Sequence, residues 1–169
     1  CALTMASSGV GWVGLRSIHV QNRPDHGSVT HDLMNIIGHG IDLVEIVRIE
    51  RMREEHGQAF LDRCFTSGEQ AYAESAPRVR AERYAARFAA KEAILKAFGT
   101  GLRDGISWTD MEVTRNDLGA PSIRLGGEAA VFAAQLGITE WRISLTHTAD
   151  LAMASVIAVG SERAPAHPG

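Results

Sequence analysis

Residues 87–101 read RFAAKEAILKAFGTG, and the reading of this stretch decides the fold. Four alanines, Leu95, Glu92 and two lysines favour a helix, and no proline interrupts them. Gly99 and Gly101 supply the stop. At 3.6 residues per turn, Ala89, Ala93, Ala97, Ala90 and Ile94 form one broad face that lets another backbone come close. Phe88 and Leu95 lie on a second apolar strip. Glu92 sits one turn before Lys96, and Arg87 one turn before Lys91. An ordinary surface pair Glu92–Lys96 would contribute about 0.3–0.5 kcal/mol. The apolar surroundings favour another reading, because charges on a mostly buried helix are costly unless they pair or hold an ion.

A chain of 169 residues, 45% hydrophobic and 22% charged, has the composition of one globular domain with a real core. Its net charge of −3 carries no signature of nucleic-acid binding. No apolar run approaches the length of a membrane helix. The opening CALTMASSGVGWVGLRSIHV lacks the charged start and apolar block of a secretory signal. Two cysteines, Cys1 and Cys64, make no disulfide framework. Cys64 reads as a buried thiol, and the setting as reducing and cytoplasmic. Residues 1–33 read as a disordered leader or as sequence upstream of the true start, with Met34 a sensible first residue. Residues 161–169 read as a disordered tail. The folded domain is expected over 34–160.

Within it, 35–44 (NIIGHGIDLV) reads as a strand and 45–56 as a helix ended by Gly57. A short helix is expected over 59–63. Thr66 or Ser67 caps the next helix, with Glu69 and Gln70 in its first turn. Pro77 opens the long helix that contains the quoted stretch. Residues 107–114 and 121–125 read as two strands of a hairpin joined by the turn 116–119. A short helix over 127–136 follows, then β-rich segments 140–148 and 151–159 joined at Ala149-Asp150. This order predicts an α+β fold, with an antiparallel sheet packed on the long helix.

The strand IIGHGIDLV holds one acid, Asp42. Alternation puts it on the face of Gly38 and Gly40, with His39, Ile41 and Leu43 on the other. Two glycines weaken a strand, so they point to close approach by a ligand or a backbone, or to a bulge with Asp42 capping the next helix. An acid on that face and a second acid, Glu92, beside lysines suit a hard cation such as Mg²⁺ and a diphosphate substrate. Spacing alone does not bring Asp42 and Glu92 together.

GHGIDLVEIVRIE (38–50) and RFAAKEAILKAFGTG (87–101) closely resemble the two signatures of the 4′-phosphopantetheinyl transferases, in particular their small bacterial group, the holo-[acyl-carrier-protein] synthases. WTDMEVTRNDLGAP (108–121) and ISLTHTADLAMASVIA (143–158) resemble that group's later segments in the right order. The resemblance covers about residues 34–160 and implies a 4′-phosphopantetheinyl transferase-like fold. It implies transfer of the phosphopantetheine arm of coenzyme A to a serine of apo-acyl carrier protein, with release of adenosine 3′,5′-bisphosphate, in support of fatty acid biosynthesis. It implies Asp42 and Glu92 as Mg²⁺ ligands, and Lys96, with Lys91 and Arg87, as phosphate-neutralising groups. Gly99 and Gly101 are implied to let backbone approach coenzyme A. His147 matches a position near the coenzyme, or is a structural histidine. Arg48 and Arg51, with Arg53, suit docking of an acidic carrier. The resemblance also implies a homotrimer with coenzyme A between subunits. The same acid-plus-lysine pattern leaves room for a Mg²⁺-dependent nucleotide diphosphate hydrolase, or for an oligomeric module that binds coenzyme A without chemistry. Residues 1–33 match nothing in the family.

Overall fold

The computed structural model describes residues 35–102 and 105–160. The expected leader and tail lie outside the described residues. Elements run β1 (Asn35–Glu45), α1 (Ile46–Cys64), α2 (Ser67–Glu74), α3 (Arg80–Phe98), β2 (Met111–Arg115), β3 (Pro121–Leu125), α4 (Gly127–Gln135), β4 (Ile138–His147) and β5 (Leu151–Gly160). Single 3₁₀ turns precede α3, at Pro77–Val79, and β2, at Trp108–Asp110. The fold is α+β, as the order of elements predicted.

Two antiparallel sheets form. The larger has the order β1-β5-β4, and β2 pairs with β3 in a separate hairpin. The β4–β5 hairpin lies where the sequence placed it, one or two residues longer at its outer ends. As expected, the helix that starts α1 is interrupted at Gly57, whose φ of 56° and ψ of −137° lie outside the helical region and kink the chain before the second helical segment. Two boundaries differ from expectation. Pro77 opens a 3₁₀ turn rather than α3 itself. Ser107 caps the turn at Trp108–Asp110, so β2 starts only at Met111.

The core is built on α3. Its residues Ala85, Ala89, Ala90, Ala93 and Ile94 are fully buried. The inward side chains of β5, Ala152, Ala154, Val156 and Ala158, are fully buried as well. Larger groups pack elsewhere along the helix: Phe98 meets Phe132 and Trp141 edge-on, and Phe88 stacks on Trp108 at 5.0 Å. Small residues at the centre let helix and sheet come unusually near.

That closeness explains the two glycines of β1. A Cβ on Gly40 would collide with the Ala93 carbonyl and lie 2.8 Å from the Ala97 nitrogen. One on Gly38 would collide with the Ala97 carbonyl. The space they clear is filled by helix backbone. We expect Gly40→Ala to destabilise the fold by about 3 kcal/mol or more, read as a lower urea midpoint, because the obstructing atoms are backbone and cannot rotate away.

Candidate functional site

Two residues beyond Gly40, on the same face of β1, stands Asp42. Its side chain is 15% exposed. The Lys96 ammonium, one turn from the end of α3, donates to Asp42 Oδ1 at 2.8 Å and to the Ile41 carbonyl at 2.9 Å. Glu92 lies one helical turn earlier and is half-buried. Burial pushes its carboxyl up from the ordinary range, and the neighbouring Asp42 charge pushes it further, while Lys96 and Arg48 oppose the shift. Strand and helix thus bring together Asp42, Glu92 and Lys96, with Arg48 of the first turn of α1 close enough to act on Glu92. The glycine contact described above makes this possible: a wider gap would part the two acids.

Two adjacent carboxylates with unfavourable mutual repulsion form an all-oxygen donor set short of positive charge. That chemistry fits Mg²⁺, which takes one or two protein carboxylates and completes its shell with phosphate oxygens and water. Among the described residues no three His, Cys, Asp or Glu side chains gather into a richer metal site.

Lys91 is placed otherwise than expected. It was grouped with Glu92 and Lys96 as a phosphate-neutralising charge, but successive helix residues do not share a face. Lys91 is fully buried, 2.7 Å from Glu69 Oε2 and 2.8 Å from the Trp108 carbonyl. Burial pulls its pKa down and Glu69 pulls it back up. Glu69 also accepts from the backbone nitrogens of Thr66 and Val113, at 2.9 and 3.0 Å. The pair therefore ties α2, α3 and β2 together from inside. Arg87 turns the same way. It is 5% exposed, its guanidinium lies 4.0 Å over the Tyr72 ring, and it donates to the Arg83 carbonyl at 3.2 Å. Burial lowers its pKa. Arg83 and Arg115 also face Tyr72, at 4.2 and 5.5 Å.

Gly99 ends α3 in the left-handed region at φ 75°, and Gly101 follows at 71°, both with open space where a side chain would stand. His147 ends β4, on the sheet face of Asp42 but two strands across and two residues along, roughly 12 Å away. It is exposed. Arg48 and Arg51 are exposed on α1, and Arg51 makes only a loose pair with Glu55 at 3.8 Å. Arg53, by contrast, is clamped by Glu50 through two hydrogen bonds of 2.6 and 3.0 Å. Beside α1 opens a largely apolar groove of about 470 Å³, lined by Met52, Phe60, Cys64, Phe88 and Trp108, with Arg63 among its polar residues.

Sequence reasoning missed Glu69, Tyr72 and Arg115. Glu69 was read as a capping-box acid, which it is, with Thr66 as cap. Its partner Lys91 lies 22 positions on, and no local pattern joins them. Tyr72 and Arg115 carry no spacing signal at all.

A model of the 4′-phosphopantetheinyl transferase superfamily matches residues 38–154. The holo-[acyl-carrier-protein] synthase of Solibacter usitatus is 50% identical over 122 residues, which are 72% of this chain and 97% of that protein. The crystal structure of the Neisseria meningitidis holo-[acyl-carrier-protein] synthase superposes with a TM-score of 0.68 at 34% identity, covering 73% of this chain and 98% of that one. The Bacillus anthracis synthase, solved in complex with coenzyme A (3′,5′-ADP), gives 0.61 at 34% identity, covering 76% and 100%.

Two outcomes follow from the charges. Lys91→Met strands the Glu69 carboxylate and should destabilise the chain by about 3–5 kcal/mol in denaturant titration. Adding Glu69→Gln removes the stranded charge and should recover at least about 1 kcal/mol of that loss. For Glu92, whose folded pKa is raised, ionisation penalises the metal-free fold. The penalty sets in above the unfolded value of 4.5 and is complete above the raised folded value. Glu92→Gln should therefore melt higher than the unaltered chain in EDTA at neutral pH, and the difference should vanish in acid.

Proposed function

The chain belongs to the 4′-phosphopantetheinyl transferase superfamily, and we infer that it works as a holo-[acyl-carrier-protein] synthase. It transfers the phosphopantetheine arm of coenzyme A to a serine of apo-acyl carrier protein and releases adenosine 3′,5′-bisphosphate. The observation that carries this reading is the meeting of Asp42 and Glu92 beside Lys96 at the junction of β1 and α3.

Asp42 and Glu92 hold Mg²⁺ in this reading, and the ion supplies charge stabilisation at the diphosphate and polarises the phosphorus that the serine attacks. Lys96, an exposed cation hydrogen-bonded to Asp42, neutralises a phosphate oxygen. Gly99 and Gly101, without side chains and in left-handed conformations, let the coenzyme lie along the end of α3. Arg87 acts from beneath Tyr72, adding positive potential to a surface that also carries Arg83 and Arg115. The carrier, an acidic protein, docks on the outer face of α1 through Arg48 and Arg51, and the apolar groove around Met52, Phe60 and Phe88 takes its apolar contacts. Arg53, held by Glu50, stays out of that contact.

The active form is a homotrimer. Supporting it, the outer face of β1 leaves Ile41 and Leu43 45% and 57% exposed, next to partly buried Met153 and Ile157 of β5. The protein is cytoplasmic, serves fatty acid biosynthesis and works away from membranes. In keeping with this, no helix among the described residues is long and apolar enough to cross one.

Intact-mass spectrometry tests the reading. Apo-acyl carrier protein incubated with the chain, coenzyme A and Mg²⁺ should gain the mass of one phosphopantetheine. EDTA should abolish the gain, and Asp42→Ala and Glu92→Ala should each slow it at least about 100-fold while circular dichroism stays unchanged. Coenzyme A cleaved with no carrier modified would mark a hydrolase. Coenzyme A bound but left intact, with no carrier modified, would mark a binding module.

A further inference from the structure

Lys96 stands where a metal reading would not at first place it. Its ammonium has three donors, and two of them are spent on β1, on Asp42 Oδ1 at 2.8 Å and the Ile41 carbonyl at 2.9 Å. The carboxylate assigned to the cation is thus already occupied by a positive charge from the protein itself. An ammonium and a divalent ion on one carboxylate repel each other strongly at such distances. One must give way.

The two lysines of α3 differ in which can do so. Lys91 is sealed between Glu69 and the Trp108 carbonyl with no exposed surface. The Lys96 side chain is 52% exposed, while Asp42 is held at 15%. Lys96 can swing into solvent without opening the core, and Asp42 stays in place on its strand.

We propose that Lys96 is an exchangeable counter-ion: its ammonium holds Asp42 in the ion-free protein, is expelled when the divalent ion enters, and is thereby released toward the substrate's phosphate. The inference rests on the metal reading given above. It adds that the site is guarded before loading, so the ion-free chain never presents a bare pair of acids. It also couples two events, since the same displacement that admits the ion frees the cation that meets the diphosphate. The ammonium therefore weakens ion binding to the free protein and strengthens binding of the ion together with the coenzyme.

Mn²⁺ binding to the full chain without coenzyme A, followed by the electron paramagnetic resonance of the free ion, tests this. Lys96→Met should bind Mn²⁺ about tenfold more tightly than the unaltered chain, a change of ~1.4 kcal/mol. Its melting temperature should also rise more on adding Mn²⁺. Equal or weaker binding by Lys96→Met overturns the exchange and leaves the metal reading standing. No binding by either chain overturns the exchange, and no binding by either chain once coenzyme A is added overturns the metal reading as well. If Lys96→Met does not fold, isotope-labelled lysine side chains in the unaltered chain give the same answer by NMR. The slowly exchanging Lys96 ammonium signal should disappear on saturation with Mg²⁺, and its persistence would overturn the proposal.

Discussion

Everything at the site depends on one close approach: the backbone of β1 at Gly38 and Gly40 against the carbonyls of Ala93 and Ala97 in α3. Helix and sheet normally keep their distance because side chains stand between them. Here glycine faces alanine, the gap shrinks, and two acids 50 positions apart in the chain come within electrostatic reach. The arrangement trades the packing energy of large side chains for position. What it loses on that face is regained elsewhere along α3, where Phe88, Phe98, Trp108 and Trp141 fill the space.

A division of labour among charges follows. The polar residues of α3 point to opposite sides. Glu92 and Lys96 face β1 and solvent, where charge can be used. Lys91 and Arg87 face inward, where charge must be satisfied by Glu69 and Tyr72. The buried pair is costly to desolvate and gains much of that back through four hydrogen bonds, two of them to backbone nitrogens that would otherwise be orphaned. It locks the helix that carries Glu92 against α2 and β2, and so fixes the direction in which the outward face looks.

How much of this is legible in the sequence differs from residue to residue. The helix, the β4–β5 hairpin and the face of Asp42 follow from periodicity, since 3.6 and 2 are local properties of the chain. The two acids were singled out because each is a lone carboxylate in apolar surroundings. The fate of Lys91 was not legible. A lysine beside a functional glutamate looks like its helper until the helix is rotated and the neighbour turns out to face the core. Glu69 had a sufficient local explanation as a cap, which hid its second partner. The occupant of the glycine-cleared space was left open between ligand and backbone, because strand alternation says which face is clear and not what comes to it. The interruption at Gly57 was legible, because a glycine between two helical patterns marks a backbone conformation that other residues resist.

The sheet order β1-β5-β4 carries a consequence for how the molecule comes into being. β1 is the first strand described and has its sheet neighbour in β5, the last. As the chain leaves the ribosome, the strand bearing Asp42 has no partner until more than a hundred residues have followed it. Until then its amides and its apolar outer face lie open to wrong pairings. The distance between these strands in sequence also places their meeting late on any folding route, after the helices and the β2–β3 hairpin have formed from nearby residues. The sheet that holds Asp42 in place is therefore completed by the last strand described, and the strand and helix bearing the two acids must wait for β5 before that sheet can support them.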